Sequence, residues 1–152
     1  LVCKNQSVKE SVMKFCQARL SPPLIGQVIA EASIDTPAEY MQEMYNEYLE
    51  RRNYLIEGLN KIPGVYSAVP MGAFYTVARL PIDDSDKFCA WLLSEFEYEK
   101  QTVMMAPASG FYTMKNVGCN EVRLAYVLKK EDLEKALFIL KKALEVYPGR
   151  TK

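Results

Sequence analysis

Three short stretches carry the residue types that could do chemistry: "PMGAFYTV" (70–77), "MAPASGFY" (105–112) and "NEVRLAYV" (120–127). The last sets an arginine, Arg123, into an apolar, strand-like run. Strand alternation puts Val122, Leu124 and Tyr126 on one face and Arg123, Ala125 and Val127 on the other. A guanidinium placed there is either a solvent-facing charge at a sheet edge or a planar fork for a carboxylate, which arginine grips better than lysine does. From the strand alone, the surface charge is the simpler reading. The loop that opens after Pro107 is a common place to build a ligand pocket, and equally an ordinary turn. In the first stretch Gly72 serves a tight turn, and Phe74 and Tyr75 are core or pocket residues.

Other chemistries are excluded by composition. The chain of 152 residues contains no histidine, which removes Ser-His and Cys-His nucleophiles and most zinc sites. The cysteines Cys3, Cys16, Cys89 and Cys119 form no C-x-x-C, so reduced thiols in an intracellular, cytoplasmic protein are expected and no metal is. Basic and acidic residues number 19 each, without the basic surplus that a nucleic-acid partner demands. No apolar run approaches the ~18 residues needed to span a bilayer.

The elements that must position these stretches follow from periodicity. Asn5 or Ser7 caps a first helix with Val8, Val12, Phe15 and Cys16 along one face. Ser21 is placed to cap a second, with Pro22 in its first position and Ile25, Val28, Ile29 and Ala32 at helical spacing. Thr36, Pro37 and Glu39 predict the start of a long helix whose packed face runs through Met41, Met44, Tyr45, Tyr48, Leu55 and Leu59. Beyond Pro63 the period changes to that of two short strands parted by a turn at Pro70, Met71 and Gly72. A helix carrying Phe88, Trp91, Leu92 and Phe96 follows, then strands at "QTVMMAP" and "EVRLAYV", and a closing helix from about Lys130 to Tyr147. This is an α/β or α+β sandwich: one small sheet of three to four strands covered by helices. "LVCKNQSVKE" reads as a strand entered in mid-course, which suggests a piece of a longer polypeptide.

The order of the three stretches is more specific than any one of them. P-x-G-A-F-Y, a strand ending V-x-x-x-P-x-x-x-F, V-R-L-A-Y and a closing amphipathic helix together resemble the C-terminal part of class I/II aminotransferases, pyridoxal-phosphate enzymes of fold type I. Upstream, "ARLSPPLIGQVIAEASI" looks like the family's segment between two large-domain helices, and the likeness is closest to the aspartate/aromatic branch. The resemblance implies residues 1–35 from the end of the cofactor domain, a helix over 36–62 linking the lobes, and a small C-terminal domain over 63–152. It makes Arg123 the clamp for the substrate α-carboxylate and Phe111 a pocket-lining aromatic. The loop here reads Pro107-Ala108-Ser109-Gly110-Phe111, where the family more often has Pro-Gly directly. Arg19 lies close to where some members place an arginine for a side-chain carboxylate across a dimer interface, but that spacing falls nearer Cys16, and a surface arginine is the simpler reading.

The resemblance also implies pyridoxal 5'-phosphate in a full-length homodimer that exchanges an amino group between aspartate, or a similar amino acid, and a 2-oxo acid. The Schiff-base lysine and the phosphate-holding arginine are expected upstream of Leu1. Lys4 and Lys9 lack the family's flanking residues, so the 152 residues carry no catalytic group and on their own are expected neither to bind the cofactor nor to turn over. Two alternatives stand beside this: a non-enzymatic α/β module that binds a small acid, and another fold type I enzyme such as a β-lyase.

Overall fold

The computed structural model describes residues 3–19 and 21–151 and divides the chain into two compact units, 1–42 and 43–152. Leu1 and Val2, to which the entering strand was assigned, lie outside the described residues, and Cys3 is irregular.

In the first unit, α1 (Gln6–Arg19) starts where the Val8 N–H donates to Asn5 Oδ1 at 3.2 Å, so Asn5 is the cap. Helix α2 (Leu24–Ala32) begins later than its sequence signal: Pro23, not Ser21, occupies the cap position, and no side chain caps it. Two consecutive prolines explain the delay, because Pro23 disfavours helical backbone at Pro22. The apolar stripe of α2 is there as expected, with Leu24, Ile25, Val28 and Ile29 all exposed.

Helix α3 (Ala38–Asn60) is the long helix, and it starts one residue past Pro37. Its packed face is shorter than its sequence pattern. Leu55, Ile56 and Leu59 are buried and Tyr48 and Tyr54 pack on the core, whereas Met44 and Tyr45 stay exposed. The core of the second unit thus engages only the C-terminal half of α3.

That core is built on one antiparallel sheet of four strands in the order β1-β2-β4-β3. The strands are β1 (Tyr66–Ser67), β2 (Tyr75–Arg79), β3 (Ala106–Pro107) and β4 (Glu121–Ala125). The expected strand at 101–107 is therefore mostly irregular, since only Ala106 and Pro107 pair with β4, opposite Arg123 and Val122. Pro107 has no N–H to extend a ladder, and it sits on the edge strand, where that loss is tolerated. Across the sheet's inner face, Ala78 and Val122 meet α3, α4 (Ser85–Ser94) and α5 (Lys130–Val146) through Leu59, Phe88, Leu92, Leu140 and Leu144. The sandwich of one small sheet covered by helices is as the sequence predicts.

Polar groups finish the ends. The Asp84 carboxylate caps α4, accepting from the N–H groups of Asp86 at 2.9 Å and Lys87 at 3.0 Å. The Asn60 side-chain amide pairs with the outer edge of β1, accepting from Ser67 N–H at 2.8 Å and donating to its carbonyl at 3.0 Å. A side chain thereby completes an edge two residues long, which is too short to defend itself.

The described cysteines are free thiols, and burial pushes the Cys89 thiol up to about 11. Tyr147 packs edge-on against Phe88 and donates to Asp83 Oδ1 at 3.0 Å. Burial first, then that hydrogen bond, raises its phenol from 10.0 to about 12. Because the folded value lies above the unfolded one, this contribution is complete below pH 10 and is lost as pH rises through about 12. Urea titrations at stepped pH are expected to show stability falling across that window, and Tyr147→Phe should flatten the fall.

Candidate functional site

The chemistry-bearing residues emerge on the sheet face opposite the core. Tyr75, Val77 and Arg79 of β2 alternate outward while Thr76 and Ala78 are buried. In β4, Val122 is buried and Arg123 and Ala125 are exposed, so Arg123 stands opposite Val77 and Ala125 opposite Tyr75. The alternation expected of 122–126 therefore holds, down to Tyr126 at 1 % exposure on the core side.

Two rings bracket the Arg123 guanidinium: its Cζ lies 5.2 Å from the centroid of Tyr75 and 5.2 Å from that of Phe111. Cation–π contacts of this kind, each worth about 0.5–1 kcal/mol when exposed, hold the fork in one plane without consuming its N–H groups. Among the described residues no carboxylate lies within ion-pair distance of it; the ion pairs present are Arg51–Glu47, Lys130–Glu50, Lys135–Asp132 and Lys142–Glu145. Arg123 is thus pre-oriented and has no anion of its own.

Flanking loops are tied to the same end of the sheet. The Tyr126 phenol donates to the Ala73 carbonyl at 2.9 Å, and its N–H donates to the Phe74 carbonyl at 2.9 Å. Arg52 Nη1 reaches the Pro70 carbonyl at 3.1 Å, and Arg51 Nη1 the Val127 carbonyl at 2.5 Å. The tight turn before Tyr75 places Ala73, not Gly72, in the left-handed region at φ 63°. That conformation costs a non-glycine residue roughly 1 kcal/mol or more, and the bonds from Tyr126 and Arg52 hold it.

The loop after β3 runs through a 3₁₀ turn, Ser109–Phe111, which carries the Phe111 ring to Arg123. The hydrogen bond from Tyr112 to Glu121 raises the Tyr112 phenol above its usual range. The structure thus brings Arg123 and Phe111 together and adds Tyr75, which the sequence left as core or pocket. The signal was present: period-2 alternation with Thr76 and Ala78 puts Tyr75 on the face opposite the core. Arg19 is the exposed last residue of α1, in the other unit.

No described residue set fits a cofactor aldehyde or a metal. Every described lysine is exposed except half-buried Lys142, whose amine is paired with Glu145 at 2.9 Å. A groove of about 490 Å³ between α5 and residues 101–105 is lined mainly by apolar side chains, and Arg123 is not among them. No cluster of metal-ligating side chains occurs among the described residues, and no described helix is long and apolar enough to cross a membrane.

The sequence model of "Aminotransferase class I and II" matches residues 1–140. An aspartate aminotransferase of Pyrococcus horikoshii is 36% identical over 107 residues, covering 69% of this chain and 25% of the relative. An aspartate aminotransferase of Bacillus subtilis is 31% identical over 132 residues, covering 82% and 31%. Among solved structures, an alanine aminotransferase from Pyrococcus furiosus superposes with a TM-score of 0.71 at 27% identity, over 91% of this chain and 35% of that one. The chain thus spans about a quarter to a third of the length of the curated relatives it matches. With a sequence match across both units and a shared fold, the chain belongs to the class I and II aminotransferases.

Proposed function

We propose that these residues form the substrate-carboxylate clamp of a pyridoxal-phosphate-dependent aminotransferase. The full-length protein would exchange an amino group between an amino acid, aspartate or a similar one, and a 2-oxo acid. The observation that carries the reading is the Arg123 guanidinium, bracketed by Tyr75 and Phe111 and without a carboxylate among the described residues. An amino acid and its 2-oxo acid share one group, the α-carboxylate, and a planar fork binds it through two parallel N–H···O bonds. Two anchored oxygens fix one end of the substrate, so that a second anchor at its amino group in the full-length protein would set the direction of the bond to be broken. The Tyr75 and Phe111 rings beside the guanidinium shield part of it from water, which strengthens its hold on the incoming anion.

Pyridoxal phosphate supplies the electron sink for such chemistry. Its lysine and phosphate ligands would come from polypeptide upstream of Leu1, with residues 1–35 closing the cofactor domain, 36–62 linking the lobes and 63–152 forming the small domain. A cytoplasmic homodimer completes the proposal.

The test is made on the natural gene product. Borohydride reduction followed by peptide mapping should place a pyridoxyl group on a lysine upstream of Leu1, and the unreduced protein should transfer the amino group of L-aspartate to 2-oxoglutarate. A pyridoxyl adduct without transfer would favour the β-lyase alternative. No adduct and no transfer would leave a small-acid-binding module.

A further inference from the structure

Arg123 has no ion pair among the described residues, although a carboxylate stands close by in sequence and in space. Glu121 lies two positions earlier on the same strand, and strand geometry puts its side chain on the same face, about 7 Å away along the backbone. It also faces Arg79 across the β2–β4 pair. A half-buried carboxylate between two arginines should swing to one of them. It does neither: Glu121 Oε2 accepts the Tyr112 phenol at 2.5 Å.

The loop geometry shows why that phenol is there to be accepted. The Glu121 carbonyl takes the Ala108 N–H at 2.9 Å, and the Phe111 N–H bonds the Ala108 carbonyl at 3.0 Å, which fixes the turn before Tyr112. Ser109 Oγ donates to Asp86 Oδ2 at 2.5 Å, pinning the turn to the first turn of α4. The Tyr112 ring then lies against Gly118, at φ 74°, where an added Cβ would strike the ring. Phe111 and Tyr112 are therefore set by one loop in two directions, Phe111 over Arg123 and Tyr112 onto Glu121.

We infer that Tyr112 is a positioning residue that parks the Glu121 carboxylate and so keeps Arg123 free for a substrate carboxylate. This rests on the clamp reading of Arg123. Without the phenol, Glu121 would become an intramolecular competitor for the guanidinium, at an effective concentration on the order of millimolar.

The experiment uses the full-length gene product with L-aspartate and 2-oxoglutarate. Tyr112→Phe keeps the ring against Gly118 and removes only the hydroxyl. It should raise KM for both substrates about fivefold, the worth of one exposed competing ion pair, while kcat changes less than twofold. Adding Glu121→Gln, which removes the competing charge, should return both KM values to within about twofold of the unsubstituted protein. A merely structural role for Tyr112 predicts no such rescue. Unchanged KM in Tyr112→Phe, or a raised KM that Glu121→Gln does not restore, overturns the inference. Arg123→Lys serves as the control: if it leaves both KM values unchanged, the clamp reading itself has failed.

Discussion

Replacing Arg123 by alanine in the full-length protein is expected to lower kcat/KM by about 10²–10³-fold for the amino acid and the 2-oxo acid alike. Both substrates present the α-carboxylate, so both should lose the same charge-assisted, bidentate contact, worth about 2–5 kcal/mol when one partner is truncated. Lysine should recover little of this. An ammonium offers one charge without the planar fork that sits 5.2 Å from the ring centroids of both Tyr75 and Phe111. Stability should fall by at most about 1–2 kcal/mol, the worth of the two exposed cation–π contacts, because Arg123 makes no ion pair among the described residues. Steady-state kinetics on each substrate, with a urea curve for each variant, separates the two effects. Wild-type KM values for both substrates would remove Arg123 from the site.

Phe88→Ala is expected to cost about 3–5 kcal/mol of stability, which would leave a domain of this size marginal at best. Phe88 is fully buried in α4, stacked on Trp91 with centroids 6.1 Å apart and edge-on to Tyr147 at 4.8 Å. Removing it opens a cavity where helix, sheet and C-terminal segment meet, and its ring neighbours Trp91 and Tyr147 could move into the gap only by giving up their contacts with Phe96 and Asp83. Trp91 is the only tryptophan, so its fluorescence reports the loss directly: the urea midpoint should shift far down, with a red-shifted native spectrum. Phe88→Leu, which keeps most of the volume, should cost about 1–2 kcal/mol. Equal midpoints for the alanine and leucine variants would show that the site is not packed as described.

Much of this architecture is local in origin, and local signals are legible in a chain. The boundaries of α5, the outward direction of Arg123 and the strand pair joined by the 70–74 turn follow from period and turn chemistry within a dozen residues. Where the sequence misled, two local rules competed or a partner was missing. Ser21 is a good cap residue, but the second proline in succession denies helical backbone to the first. The strand expected at 101–107 shrinks to two residues because β4 offers a ladder only at its Val122 and Arg123 positions. Met44 and Tyr45 sit on the right stripe of α3 and remain exposed, since periodicity states which face can be buried and not how far along the helix the core extends.

The candidate site divides in the same way. The sequence by itself determined that an arginine stands on an outward strand face, that no histidine chemistry is available, and that the three stretches follow in the order of the class I and II aminotransferases. Only the tertiary structure decided which groups surround Arg123. Tyr75, Phe111 and Arg123 are separated by up to 48 positions, and nothing in their spacing says that two rings close on one guanidinium. The pairing of Tyr112 with Glu121, and with it the freedom of Arg123, depends on the path of an irregular loop fixed by Ser109, Asp86 and Gly118. Period and propensity act over one turn or one strand, whereas the choice among competing partners for a charge is made in three dimensions, by distances that the sheet and its loops set together.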